Sequence, residues 1–553
     1  MHAVGRTPLE WFYHWEQERP NHVFLRQPCD GDMIEYTWSR VGEELRSMVS
    51  YFREQGFEEG DRIGIIARNS ARWVMADLAI MMLGGVSVPL YPSQSSESVR
   101  YILDHADVKL LFVGNLDQAG KTLADLPLSL KTVDMSYGVN HDFSSLTWEE
   151  IIGQHEPLSD SPQRNPQNLT TIVYTSGTTG RAKGVMHSAE AMAFVARNFY
   201  DCFQLKHDDR FFSYLPLAHV AERSLLELTS IYGGICVTFM EHMDHFLRDL
   251  KSSEATAFFT VPRLWSKFQS AILEKVPQKK LDRLLALPLV SYLVKRKLKS
   301  QLGFASVRSF GSGAAPISVD LLKWYQKVGI DIKEGYGHSE NLAYATTHQT
   351  EPVVCGSVGQ ALPGCDIKID QDGEILIKSP ATMLGYYLDP ESTMRAMENG
   401  FFKTGDLGKL DDQGHLTIRG RCKDIFKTEK GKYIAPSQIE GHLDHNRYIE
   451  QICVTGHGLP QPVALVVPSP ESSQLNRADL TKYLEDAMEL ANRNLQNYEK
   501  VKNFIVVKEA WTVESGLMTP TLKMKRHMIE EKYRAIVETS REHRDSVLWE
   551  ERG

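Results

Sequence analysis

The 553-residue chain is 42% hydrophobic and 24% charged, an ordinary globular balance that argues against extended disorder, and it is too long for one hydrophobic core. A formal net charge of −9 offers no basic face for nucleic acid. Seven scattered cysteines without a CxxC pair fit reduced thiols better than a disulfide frame or a zinc site, and the start "MHAVGRTPLEWFYHW" lacks a signal-peptide core, so a cytoplasmic protein is expected.

Taken in chain order, Thr7-Pro8-Leu9-Glu10 has capping-box spacing with proline at the first helical position, which predicts a helix. A second helix follows Thr37, with Val41, Leu45, Met48, Val49 and Phe52 on one face and Gly56 as its stop. Then come a strand from Arg62 to Ala67, a helix from Ala71 to Leu83 and a strand from Val86 to Leu90. A helix from Glu97 to His105 leads to a strand from Val108 to Val113. The most apolar run, "WVMADLAIMMLGGVSVPLYP", is interrupted by Asp77, Gly84, Gly85 and Pro89 and falls short of the ~18 apolar residues of a membrane span.

This alternation predicts crossover units and a mostly parallel α/β sheet, and it resumes at Thr171–Thr175 and past Phe310. The segment 279–299, "KKLDRLLALPLVSYLVKRKLK", is basic and amphipathic. A weak peripheral contact with an anionic membrane is one reading of it, and a surface hairpin of solvated cations is the commoner outcome. Beyond residue 365, "DIKIDQDGEILIKS" and "GKLDDQGHLTIRGR" predict antiparallel strand–turn–strand units. A compact closing block has strands at Ile452–Val454, Val463–Val467 and Phe504–Val507 around a helix from Leu480 to Leu495.

The strand ending near Thr175 feeds "YTSGTTGRAKGV" (174–185). Gly177 and Gly180 let successive N–H groups converge on one anion. Ser176, Thr178 and Thr179 add hydroxyl donors, and Lys183 adds a point charge. The spacing G-x-x-G-x-x-K-G is not that of the P-loop ATPases. A flexible turn would explain the glycines alone; three hydroxyls and a lysine favour a polyphosphate cradle.

The stretch resembles the phosphate loop of the adenylate-forming enzymes: acyl-CoA synthetases, adenylation domains of peptide synthetases and firefly-type luciferases. Six further segments match that family's signatures in order: "SYLPLAHVAER" (213–223), "GSGAAPIS" (311–318), "EGYGHSE" (334–340), "FFKTGDLG" (401–408), "GRCKDIFKTEKGKYIAPSQIE" (420–440) and "TPTLKMKR" (519–526). "GKYIAP" and "LMTPTLKMKR" are most similar to the long-chain fatty acyl-CoA synthetase branch.

The resemblance implies a large N-terminal domain of stacked α/β subdomains plus a β-rich subdomain (1–422), and a small mobile α+β C-terminal domain (423–553) hinged near Lys423. It implies attack of a carboxylate on the α-phosphate of ATP, then displacement of AMP by the thiol of coenzyme A. Thr175, Ser176, Gly177, Thr178, Thr179, Gly180 and Lys183 would hold phosphates, and Glu340 would bind Mg²⁺. Tyr336 would stack on adenine beside Gly313, Ala314, Ala315 and Gly337, with Ser339 on phosphate. Asp406 would accept both ribose hydroxyls, with Arg421 reaching the ribose or α-phosphate. Lys523 would offset the charge of carboxylate and phosphate in the first step. His219 would line the acyl pocket or gate the thiol, beside Glu222, with a satisfied core histidine as the equal alternative. Trp265 is open to two readings, tunnel wall or ordinary packing.

The sequence departs from the family at Ser339, where threonine is usual, and at Gln438 and Phe401; His338 receives no role. Substrate and acceptor stay open among fatty, aryl or branched acids, a carrier protein in place of coenzyme A, and a β-lactone product. A catalytically silent nucleotide-binding regulator and a membrane-surface scaffold are rivals from other classes. Oligomeric state is equally open, a homodimer being one alternative.

Overall fold

The computed structural model describes residues 6–138, 146–175, 181–349, 352–443, 446–493, 495–519 and 523–550. Local signals in the N-terminal third fold as read. Thr7 and Glu10 form a reciprocal capping box on the helix Pro8–Glu18, and Thr37 and Ser70 cap the helices Trp38–Glu54 and Ala71–Leu83. The last ends at Gly84, whose φ of 88° is open to glycine without strain.

These helices pack on an eight-stranded sheet in the order Gly385–Tyr386, Lys183–Ser188, Leu169–Thr175, Val86–Leu90, Arg62–Ile66, Val108–Val113, Lys131–Asp134, Leu146–Thr147. Its last six strands run parallel. Lys183–Ser188 runs antiparallel to both of its neighbours, so it and Leu169–Thr175 pair as a hairpin rather than as a crossover. In a second sheet, Ala257–Thr260, Ser309–Ser312 and Ile332–Tyr336 run parallel and two short strands add antiparallel. A third, four-stranded sheet combines Val23–Cys29 and Asp32–Thr37 with Cys236–Phe239 and Arg210–Ser213.

The texture change past 365 is a five-stranded antiparallel sheet with Phe401–Leu410 at its centre, flanked by Glu374–Lys378 and Leu416–Arg421. The closing block is a four-stranded sheet with apolar clusters on both faces. Its helix spans Arg477–Asn492, earlier than the sequence reading, because Asn476 caps it by accepting the Asp479 N–H. A fourth strand, Val547–Trp549, pairs parallel to Phe504–Val506 and was not anticipated. Among the described residues, no helix is long and apolar enough to cross a membrane.

Candidate active site

Open α/β sheets present ligands at the carboxyl ends of their parallel strands, and the motif residues collect there. The segment after Ile332–Tyr336 lies against the hairpin of the first sheet. His187 Nε2 donates to Ser339 O (2.8 Å), Met383 N–H to Glu340 O (2.7 Å) and Tyr386 Oη to Glu340 Oε1 (2.8 Å). Nε2 thus carries a proton, and burial pushes the His187 pKa down to about 4, so the imidazole is neutral near pH 7. Gly337 is obligatory in this turn: an added Cβ would lie 2.3 Å from the Ala343 carbonyl carbon.

Asp406, buried on the antiparallel sheet, gathers three donors. Tyr336 Oη lies 2.8 Å and His338 Nε2 3.2 Å from Oδ2, while Arg421 Nε lies 3.3 Å from Oδ1. Burial alone would raise the carboxyl's pKa; His338 and Arg421 overcome it and hold the group below the usual carboxylate value. The strand pairing sets Asp406 directly opposite Arg421. His338, without a role in the sequence reading, is therefore bonded into the cluster.

Gly313 follows the strand Ser309–Ser312, and a Cβ there would press on Phe259 and on Gly335 O. Ala314 adopts a φ of 66°, and Ala314 and Ala315 are exposed. Trp265 is fully buried, with Nε1 donating to Gly311 O at 3.3 Å, so it packs behind this turn. Thr175 ends its strand opposite Lys183. Ser176, Gly177, Thr178, Thr179 and Gly180 lie outside the described residues. Lys183 Nζ donates to Ser392 Oγ (2.7 Å), lies 3.9 Å from Asp389 and sits over the Tyr386 ring at 4.9 Å.

His219 caps a short helix by accepting the Ala221 N–H at Nδ1, which leaves Nε2 as its N–H. Burial and the charge of Lys523 push its pKa down to about 3. Glu222, buried, accepts from Ser213 Oγ (2.9 Å) and Tyr214 N–H (3.2 Å), and burial raises its pKa to about 8.

The C-terminal unit delivers Lys523 to the same place. Thr519 accepts the Lys523 N–H at its hydroxyl (3.0 Å) and donates its own N–H to Lys523 O (2.8 Å). Arg526 clamps Glu440 with two bonds of 2.8 Å. Lys523 is exposed at the surface. Desolvation and Arg421 lower its pKa against the opposing pull of Asp406 and Glu340. Lys423 is exposed, just past the strand Leu416–Arg421. Side-chain ion pairs also bridge the two parts: Lys121–Glu514 (3.2 Å) and Arg263–Glu450.

Among the described residues, no three His, Cys, Asp or Glu side chains cluster as a metal cage. A cation held at Glu340 would take its other ligands from phosphate and water, as Mg²⁺ characteristically does. Sequence reasoning missed Tyr386 and His187, which hold Glu340 and Ser339 from another sheet. Nothing in the neighbouring sequence signals either contact.

The model of the AMP-binding enzymes matches residues 12–387, and that of the AMP-binding enzyme C-terminal domain matches 423–545. The chain belongs to the AMP-binding enzyme family. Several of its relatives are acyl-CoA ligases or synthetases. The chain is 28% identical to the long-chain-fatty-acid–CoA ligase FadD15 of Mycobacterium bovis, over 95% of each chain. It is 30% identical to the peroxisomal long chain acyl-CoA synthetase 7 of Arabidopsis thaliana, over 93% of this chain and 83% of the relative. It is also 30% identical to the long-chain-fatty-acid–CoA ligase 5 of Rattus norvegicus, over 89% and 82%. This AMP-binding enzyme shares its fold with the anthranilate CoA ligase AuaEII, solved with anthranoyl-AMP, at a TM-score of 0.80 and 20% identity over 97% and 99% of the two chains.

Proposed function

We propose that the protein activates a medium- or long-chain fatty acid with ATP and passes the acyl group to coenzyme A, releasing pyrophosphate and AMP. What carries this is the gathering of charge from both parts of the chain: the Lys523 ammonium lies close enough to Glu340, Asp406, Arg421 and His219 for the charges to shift one another's protonation. The relatives above support a fatty acid as the substrate class.

In the first step a carboxylate oxygen attacks the α-phosphorus and the bond to the β-phosphate breaks. Two anions must approach, and the Lys523 ammonium would offset their charge where it develops. Asp406, fixed by His338 and Arg421, would accept the ribose hydroxyls; Tyr336, Gly313, Ala314, Ala315 and Gly337 would bracket adenine. Thr175, Ser176, Gly177, Thr178, Thr179, Gly180 and Ser339 would hold the phosphates. Lys183 would join them by exchanging its bond to Ser392 for phosphate oxygens. Glu340 would hold Mg²⁺, which neutralises phosphate charge when bound. In the second step the coenzyme A thiol attacks the acyl carbon and AMP leaves. His219, neutral with Nε2–H free of the helix cap, would line its approach, after the unit 423–553 turns about Lys423.

Pyrophosphate release across a panel of aliphatic and aromatic carboxylic acids, with and without coenzyme A, tests the reading. Release that rises with aliphatic chain length, with acyl-CoA appearing only when the thiol is present, is expected. Release driven best by an aryl acid, or by none, would overturn it.

A further inference from the structure

The helices Gln278–Leu285 and Pro288–Gln301 form a hairpin with two unlike faces. The inner face is anchored. Leu281 and Leu298 are buried, Leu285 and Val294 pack on the same cluster, and Gln278 Oε1 accepts the Trp324 Nε1–H at 2.8 Å. Lys299 turns inward over the Phe310 ring at 5.6 Å.

The outer face is unpartnered. Leu289, Tyr292, Leu293 and Arg296 recur at helical spacing i, i+3, i+4, i+7, so they share one stripe. Leu289 is 85%, Tyr292 65% and Leu293 62% exposed, with Leu287 in the turn at 56%. Four large apolar side chains side by side on a surface mark an interaction site. Around them stand the exposed cations Lys279, Lys280, Arg283, Arg296 and Lys297. None of the five is paired with a carboxylate among the described residues, although arginines and lysines elsewhere commonly are, from Arg26–Glu35 to Arg541–Glu429. The hairpin's one carboxylate, Asp282, accepts from Gln278 Nε2 at 2.8 Å.

We propose that this hairpin docks the protein on an anionic lipid surface. Leu287, Leu289, Tyr292 and Leu293 enter the headgroup boundary and the five cations meet lipid phosphate. The charge argues for lipid over a second copy of the chain: an isologous contact through this face would set cation against cation. It also stands out from a protein whose net charge is −9. Each cation at an anionic surface adds about fivefold to binding, and inserted apolar side chains supply the rest.

The experiment uses the full chain without nucleotide or acid, so it reads docking separately from the ligase reaction. Co-sedimentation is measured with vesicles of equal parts phosphatidylcholine and phosphatidylglycerol, and with phosphatidylcholine alone, at physiological ionic strength. Binding to the anionic vesicles should exceed that to neutral ones by about tenfold or more. L289S/L293S should lose about tenfold and R296E/K297E at least about twenty-five-fold, both keeping the unfolding temperature, since these side chains are exposed. Equal pelleting of wild type and both variants, or none by wild type, would overturn the proposal. So would a concentration-dependent dimer that L289S/L293S dissolves, because a second copy would then cover the face.

Discussion

His338 Nε2 stands 3.2 Å from Asp406 Oδ2 and 2.8 Å from the Tyr336 hydroxyl that donates to the same oxygen. In the proposed reading this oxygen receives the ribose, so nucleotide has to share it with or displace Tyr336 while His338 keeps the carboxylate aimed. His338→Ala should raise KM for ATP by about tenfold, the cost of a hydrogen bond to a charged group, with kcat little changed. His338→Gln, which keeps a donor, should recover part of the loss. Equal loss in both variants, tracking a fall in unfolding temperature, would mean that the imidazole only packs.

Lys523→Ala should lower adenylate formation by about two to three orders of magnitude, as removal of a charge-stabilising donor does. Thioester formation from supplied acyl-adenylate should survive. Desolvation and Arg421 lower the ammonium's pKa, so it loses its proton at a lower pH than a free lysine. Adenylation should therefore fall on the alkaline side earlier than an ordinary lysine would allow, and Lys523→Arg should move that limb upward. Single-turnover pyrophosphate release against pH measures both.

Gly337→Ala sets a Cβ within 2.3–2.7 Å of the Ala343 carbonyl carbon, carbonyl oxygen and Cα, all backbone atoms that cannot swing aside. Gly405, on the strand Phe401–Leu410, has a φ of 70° but open space around it. Its alanine variant should cost only about 1–2 kcal/mol of left-handed strain. Chemical denaturation should show the Gly337 variant destabilised by distinctly more, with nucleotide affinity lost.

Glu222 and Glu334 are both buried carboxyls with pKa raised from 4.5 to about 8. The folded state thus binds their protons more tightly than the unfolded chain. The stability they contribute is complete below pH 4.5 and is lost as the pH rises to about 8. Glu222→Gln should flatten this alkaline decline, by on the order of a few kcal/mol between those limits. Urea midpoints measured across the range would reveal it; a decline as steep as wild type would refute the assignment.

Local signals carried the first part of the fold. The Thr7–Glu10 box, the apolar stripe from Val41 to Phe52 and the largely apolar helix Ala71–Leu83 each announce themselves within one or two turns. Strand Val547–Trp549 does not, because three residues acquire their identity only by pairing with Phe504–Val506. The same distinction divides the site. Glycine-rich turns and motif carboxylates are visible as strings. The Tyr386–Glu340 bond and the His338–Asp406 contact join separate sheets, 46 and 68 residues apart in the chain, and depend on packing that no short window contains.

The bridges Lys121–Glu514 and Arg263–Glu450 join flanks of the protein that stay largely in water; both partners of the first are about two-thirds exposed. Such latches are worth at most about 1 kcal/mol apiece and weaken as salt is added. In the proposed reading, where the unit 423–553 turns about Lys423 between the two steps, it would thereby be fastened lightly enough to let go on every turnover. Ionic strength would then become a dial on the tempo of that alternation, acting on how long each pose lasts and not on the bond-making itself.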